Sequence, residues 1–226
     1  MTETAIVERP KRSVRLSKRG QKTRGALLES ALTLVAETGY AATTTQAVLD
    51  HSGVSRGSLL HQFTTRYDLM VATAELAMSR MVSAIQKSLG AFDDPLEALY
   101  HYPDILWHVL NENPARANTE ILLASRWDKD LEIGLRKAVA EVERRNAEST
   151  AILAEKIGVE NPEALMAAGG VLVLAMEGLT TRAALTSDAR MGEKVFALLK
   201  TNFIATLESL TPRRTRRAAP ESPAGT

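Results

Sequence analysis

A chain of 226 residues, with 45% hydrophobic and 24% charged side chains, has the composition of a globular protein of one large or two small domains. It contains no cysteine, which excludes disulfides, thiolate metal ligands and cysteine nucleophiles and fits a reducing cytoplasm. The net charge of +1 conceals an uneven distribution, because residues 9–24 carry eight Lys or Arg and no acid, whereas residues 25–212 carry 16 basic and 24 acidic side chains. The basic segment therefore predicts either an arm that contacts nucleic acid or a merely solvated tail.

Helical periodicity recurs along the chain, and no segment shows the sustained alternation of a β-strand. Capping residues and glycines divide this pattern into about nine helices. The first predicted helix ends near Gly39, and the next three run from Thr44 to about His51, from Arg56 to Phe63 and from Arg66 to about Leu89. The fifth begins at Pro95 and the sixth at Asn113. The seventh runs from Asp128 to Gly158, the eighth from Pro162 to about Thr186, and the last ends at about Leu210. The sequence therefore predicts an all-α protein.

The two short helices and the turn between them have the pattern of a helix-turn-helix unit, in which Gly53 permits the tight turn. Val48, Leu59 and Phe63 are expected to hold the pair against the first helix. The second short helix would then present its N-terminal residues to base edges in a major groove. The outward-facing candidates are Ser55, Arg56, Ser58, Leu60, His61 and Gln62.

The amino-acid sequence of this unit is distinctive. Residues 39–44 (Gly-Tyr-Ala-Ala-Thr-Thr), residues 53–59 (Gly-Val-Ser-Arg-Gly-Ser-Leu) and Phe63 resemble the N-terminal domain of TetR-family repressors, within a match over residues 23–70. The resemblance implies an N-terminal three-helix helix-turn-helix domain followed by a C-terminal helical domain for ligand binding and dimerisation. It implies a cytoplasmic homodimer that binds a palindromic operator in double-stranded DNA and represses transcription until a small, mostly apolar effector releases it. No enzymatic activity, cofactor or metal is expected.

The expected division of the chain is a basic arm at 1–20, the helix-turn-helix domain at 21–70, the effector and dimerisation domain at 71–211 and a disordered tail at 212–226. By position, Thr44 and its neighbouring amides would hold a phosphate, and Arg66 stands where the family has a lysine against a phosphate. Leu60 replaces the family's usual tyrosine and is suited to a thymine methyl. The expected DNA-binding residues are Arg15, Lys18, Arg19, Thr44, Thr45, Ser55, Arg56, Gly57, Ser58, Leu60, His61 and Arg66.

Aromatic and methionine side chains concentrate in the middle of the chain, which suits a cavity for a mostly apolar ligand with a few polar anchors. The expected ligand-binding residues are Met81, Tyr102, Trp107, Glu120, Trp127, Met166 and Met176, although structural roles remain an alternative for the anchors. The helix after Pro162 is apolar nearly all round, which predicts either an oligomer interface or a core helix of a monomer. The expected dimer interface contains Leu172, Phe196, Phe203 and Leu207. The longest apolar run, 164–176, has 13 residues and is too short to span a bilayer, so no membrane is expected.

Two other classes of protein, an enzyme and a helical adaptor, are alternatives to a regulator. The sequence lacks the nucleophile elbow, zinc-protease, dinucleotide-binding and P-loop motifs of common enzymes. His101 and His108 lie seven residues apart on one helical face, but no third metal ligand is evident. A helical adaptor that binds only protein would leave the basic arm and residues 53–59 unexplained.

Overall fold

The computed structural model describes residues 17–183 and 189–211, and all regular secondary structure within these ranges is α-helical. In chain order the helices are α1 (Lys18–Thr38), α2 (Thr45–Ser52), α3 (Arg56–Gln62), α4 (Arg66–Leu89), α5 (Pro95–Leu110), α6 (Asn113–Ser125), α7 (Lys129–Ile157), α8 (Pro162–Ala183) and α9 (Ala189–Leu210). The all-α prediction is confirmed, and the described ranges contain the nine helices expected. The end of α8 expected near Thr186, most of the basic arm and the C-terminal tail lie outside the described residues.

Local sequence accounts for most helix boundaries. Hydroxyl side chains accept a hydrogen bond from a first-turn amide at the N-caps of α1, α2 and α3, namely Ser17, Thr44 and Ser55. At the start of α4, Thr65 and Asp68 each accept a hydrogen bond from the other's backbone amide, which is a capping box. Three turns carry a positive φ, which favours glycine: Gly39 (85°), Gly53 (65°) and Gly158 (75°).

The buried side chains form two hydrophobic cores. The first core joins α1, α2 and α3 to the N-terminal half of α4 and to parts of α6 and α7. The second core joins α5, α8 and α9 to the C-terminal part of α7, and Met81 and Ile85 of α4 pack against it. The expected domain boundary at residue 70 therefore falls inside α4, which contributes to both cores.

A close helix crossing fixes α7 against α4 in the first core. A Cβ atom at Gly134 would lie 2.1 Å from the Tyr67 hydroxyl oxygen and 2.8 Å from a methyl carbon of Val71. Glycine is therefore required on α7 for the two helices to approach at this distance.

The apolar helix α8 is largely uncovered within one chain. By length and composition alone it could cross a membrane, with a mean hydropathy of 1.6 over an 18-residue window, of which 17% is buried. The apolar run 164–176 keeps its 13 residues, and the helix that contains it continues past Glu177 to a total of 22 residues. Core helices of soluble proteins have the same composition, so the uncovered face of α8 is the informative feature.

Candidate nucleic-acid interface

The recognition unit consists of α1, α2 and α3 packed around one set of apolar side chains. Val48 of α2, Leu59 of α3 and Phe63 after α3 are all buried in the first core, as the sequence predicts. Buried residues of α1 complete this cluster, namely Leu27, Ala31, Leu32 and Val35. The two short helices therefore have fixed positions on α1.

The turn between α2 and α3 is built from three residues. Gly53, in the left-handed region, donates its backbone amide to the Leu49 carbonyl at 3.0 Å. The next amide, of Val54, donates to the Ser52 hydroxyl at 3.2 Å. Ser55 then caps α3, and its hydroxyl also bonds to the Ser58 hydroxyl at 2.9 Å. These bonds fix the angle between α2 and α3, which is what a helix inserted into a groove requires.

One face of α3 is open to solvent. Leu59 is 3% exposed and points into the core, whereas its neighbour Leu60 is 55% exposed. The other side chains expected to face DNA on this helix share the open face: Ser55, Arg56, Gly57 and His61 are exposed, and Ser58 is half-buried. The exposed side chain of Leu60 is therefore free to contact a partner of this face, although a single exposed leucine is also common on protein surfaces.

The N-terminus of α2 is also open to solvent. Thr44 is exposed and its hydroxyl accepts a hydrogen bond from the Ala47 amide at 3.1 Å, while Thr45 is half-buried. Lys18 and Arg19 are exposed in the first turn of α1. Arg15 lies outside the described residues.

Two arginines on the longer helices α1 and α4 contact the end of α3 and the loop before α2. Arg24 of α1 lies with its guanidinium carbon 4.4 Å from the centre of the Phe63 ring and donates to the Gln62 carbonyl at 3.5 Å. Arg66 of α4 lies 4.1 Å from the centre of the Tyr40 ring and donates to the carbonyls of Tyr40 and Thr43. Neither contact was expected from the sequence, because each joins positions more than 20 residues apart. The Arg66 guanidinium faces the loop before α2, and the expected phosphate contact of this residue stays a prediction.

Several expected ligand-binding residues do not lie together. Trp127 is 91% exposed in the turn before α7, because the chain reverses there before reaching the core. Glu120 is exposed on α6, with a carboxylate oxygen 3.5 Å from the position of a Cβ atom on Gly39, which places it beside the recognition unit. Met166 is 40% exposed on α8. These three positions therefore correct the expected pocket.

The remaining expected ligand residues lie in the second core. Tyr102 packs at 5.7 Å on the Phe203 ring, and Trp107 at 5.1 Å on the Phe196 ring. Met176 is fully buried, and Met81 packs against the same core. Burial raises the pKa of Tyr102 to about 12, so its hydroxyl stays protonated at physiological pH.

Two surface pockets in the described residues differ in character. A cavity of about 230 Å³ at the junction of α4 and α5 has an apolar lining of Leu89, Gly90, Phe92, Pro95, Ala98, Leu99 and Leu153. A more open one of about 390 Å³ between α4 and α7 is lined by Thr65, Tyr67, Asp130 and Ile133. Neither is lined by an expected ligand residue.

The expected dimer residues also need correction. Leu172, Phe203 and Leu207 are at most 4% exposed within one chain, because they pack in the second core, and Phe196 is half-buried against Trp107. The open faces of α8 and α9 carry other apolar side chains: Val171 (66% exposed), Leu174 (71%), Met191 (54%) and Leu198 (59%). Glu177 is half-buried on α8, and this burial raises the pKa of its carboxyl group.

Similarity to known proteins agrees with this geometry. Residues 27–73 match the family described as bacterial regulatory proteins, tetR family. Over 130 residues the chain is 25% identical to the HTH-type transcriptional regulator CymR of Pseudomonas putida; the match covers 58% of this chain and 64% of CymR, less than two thirds of that protein's length.

The fold is similar to that of a TetR transcriptional regulator from Chloroflexus aurantiacus, with a TM-score of 0.66 and 19% identity over 83% of this chain and 97% of the other. It is also similar to the multidrug binding protein EbrR complexed with imidazole, with a TM-score of 0.54 and 21% identity over 91% of this chain and 99% of the other. The family match thus covers the recognition unit, and the structural likeness extends the shared fold over most of the chain.

Adjacent leucines of α3 provide a matched test of this geometry. Leu59→Ala removes a buried side chain and is expected to lower the free energy of unfolding by about 2–5 kcal/mol. Leu60→Ala removes an exposed one and is expected to change it by less than about 0.5 kcal/mol. Urea denaturation of both variants measures the difference. Equal losses would show that the orientation of α3 is incorrect.

Proposed function

We propose that this chain, which belongs to the TetR family of bacterial regulatory proteins, is a cytoplasmic homodimer that represses transcription at a palindromic operator and leaves the DNA when a small, mostly apolar ligand binds. The observation that carries the proposal is the open face of α3, on which Ser55, Arg56, Leu60 and His61 are exposed. Thr44, the N-cap of α2, is exposed as well. A short helix held at both ends, with polar side chains outward, has the form of a major-groove reader.

Groups of two kinds surround this face. The α2 amides and Thr44 suit a phosphate, as do Lys18 and Arg19 at the start of α1. The side chains of Arg56, Leu60 and His61 suit base edges, where arginine pairs with guanine and an apolar group with a thymine methyl. In this proposal phosphate contacts set the position of α3 on the duplex, and the α3 side chains read the sequence.

Replacement of Arg56 by alanine tests base reading. The duplex is the one that the wild-type protein selects from a random library. Arg56→Ala is expected to weaken binding to this duplex by about 1–3 kcal/mol, because one base contact is lost, and to leave the melting temperature unchanged.

Fluorescence anisotropy measures the affinity. Lys137→Ala, which removes one exposed charge from α7, is the matched control and should bind as the wild type does. If Arg56→Ala binds the selected duplex with wild-type affinity, α3 does not read bases through this residue.

The homodimer is proposed from the uncovered faces of α8 and α9. Val171 and Leu174 lie on one face of α8 together with Gly170 and Gly178, which are small enough for close helix approach. Leu198 adds an exposed leucine on α9, which packs beside α8 in the second core. A second copy related by twofold symmetry would cover this surface and provide two recognition helices for the two halves of a palindrome.

Leu174→Glu tests this surface. A glutamate there would have to be buried on association, at a cost on the order of several kcal/mol, so the variant is expected to be monomeric at micromolar concentration. Sedimentation velocity measures the mass. Ile152→Glu is the control, because Ile152 is 56% exposed on α7, away from this face, and the variant should remain dimeric. A monomeric wild-type protein, or a dimeric Leu174→Glu variant, contradicts the proposed interface.

Ligand release is proposed from the position of the second core. Met81 of α4 packs against this core, together with Tyr102, Trp107 and Met176. Apolar and aromatic walls with one protonated hydroxyl suit a mostly apolar ligand, and the apolar cavity of about 230 Å³ at the junction of α4 and α5 opens near the same end of α4. EbrR, the similar multidrug binding protein, was solved with imidazole bound. A ligand that separates these helices shifts α4, and it favours release only by its differential affinity for the two states.

A Trp127→Phe variant isolates the core as an optical probe. It leaves Trp107 as the single tryptophan, and Trp127 is exposed, so the fold is expected to be unaffected. Apolar compounds that change Trp107 emission should also weaken binding to the selected duplex, by about 5- to 150-fold for a typical coupling energy. Compounds that bind tightly beside Trp107 without changing DNA affinity would exclude release through this core.

A further inference from the structure

The guanidinium of Arg66 is committed to one loop, although it lies near the proposed DNA-binding face. Its Nε donates to the Thr43 carbonyl at 3.0 Å, and Nη2 donates to the Tyr40 carbonyl. The guanidinium carbon of Arg66 lies over the Tyr40 ring, 4.1 Å from the ring centre. We infer that Arg66 is a positioning residue that joins the loop before α2 to the first turn of α4, and that it does not act as a phosphate contact.

The loop between α1 and α2 is also held by bonds within itself and by packing, since Tyr40 packs against the first core. The buried Thr43 hydroxyl donates to the Gly39 carbonyl at 2.9 Å, and the Thr44 amide donates to the Ala42 carbonyl at 2.9 Å. These bonds fix the shape of the loop but do not fix its place relative to α4. Arg66 supplies that connection at Thr43, one residue before the N-cap of α2. Arg66 therefore adds a directional polar connection to the packing that holds the α2 N-terminus.

The geometry requires arginine. A planar guanidinium donates from its edges to two carbonyls while its face lies on an aromatic ring. A lysine ammonium carries the same charge and reaches a similar distance, but it cannot stack and donate in this fixed arrangement. Arg66→Lys therefore keeps a possible phosphate contact and removes the connection.

The connection also gives α4 a direct effect on α2. Arg66 is the first residue of α4, and the capping box of Thr65 and Asp68 makes this turn rigid. At the other end, Met81 and Ile85 pack on the second core. A movement of α4 therefore carries the Arg66 guanidinium with it and displaces the N-terminus of α2. This last step rests on the proposed function, whereas the positioning role of Arg66 does not.

Amide hydrogen exchange of the DNA-free protein tests the positioning role. In Arg66→Lys, the hydrogen-bonded amides of Thr44, Ala47 and Val48 are expected to exchange about tenfold faster than in the wild type, because two charge-assisted hydrogen bonds that hold the loop are lost. Amides in the middle of α4 should be unchanged. Tyr40→Leu, which removes the ring and leaves Arg66 intact, should produce the same local effect. Wild-type exchange in both variants overturns the inference, whether or not the protein proves to be a DNA-binding regulator.

The salt dependence of binding to the selected duplex separates positioning from phosphate contact. We expect Arg66→Lys and Tyr40→Leu each to weaken binding by about tenfold or more at a fixed salt concentration, with an unchanged slope of log K against log salt. A phosphate contact predicts the opposite: wild-type affinity for both variants, and for Arg66→Met a slope shallower by about 0.9 per subunit. That second result overturns the inference and leaves the proposed function intact. A wild-type protein that selects no duplex contradicts the proposed function alone, because the exchange experiment still tests Arg66.

Discussion

The continuity of α4 is the constraint on which the rest of the structure depends. Its 24 residues form one helix of about 36 Å, long enough to cross most of a small domain. Its first half is buried with the recognition unit, and Met81 and Ile85 pack against the second core. Because a helix without a break transmits displacement along its axis, the two cores cannot move independently. The chain therefore has two cores, and the domain division expected at residue 70 falls inside one continuous helix.

The recognition unit needs this support because its helices are short. α2 has 8 residues and α3 has 7, and isolated helices of that length are unstable in water. Their caps satisfy local amides but do not orient them. Orientation comes from the buried side chains on α1 and from two arginines, Arg24 at the end of α3 and Arg66 at the start of α2. Each arginine combines a carbonyl hydrogen bond with a contact on an aromatic ring, so each fixes both distance and direction.

The sequence was sufficient wherever the signal is local. Caps, glycines and helical periodicity predicted the order of the nine described helices, and α4 was predicted from Arg66 to Leu89 as observed. The sequence failed where one helix carries two apolar faces. Periodicity predicts that Phe203 and Leu207 lie on one face of α9, but it does not indicate whether that face packs in the core of its own chain or in an interface with a second chain. It also failed for Trp127, since apolar character predicts burial and the turn before α7 leaves the side chain in solvent.

The two faces of α8 connect the proposed ligand site to the proposed dimer. Leu172 and Met176 are buried in the second core, whereas Val171 and Leu174, on the opposite side of the helix, are exposed within one chain. In the proposed mechanism, a ligand that entered the second core would press against α4 on one side and against the helices of the proposed dimer on the other. If the paired α8 and α9 helices form the fixed frame, the displacement falls on α4, and the distance between the two recognition helices changes. Since a palindrome accepts only one spacing, a small tilt of α4 is sufficient to weaken binding at both half-sites together.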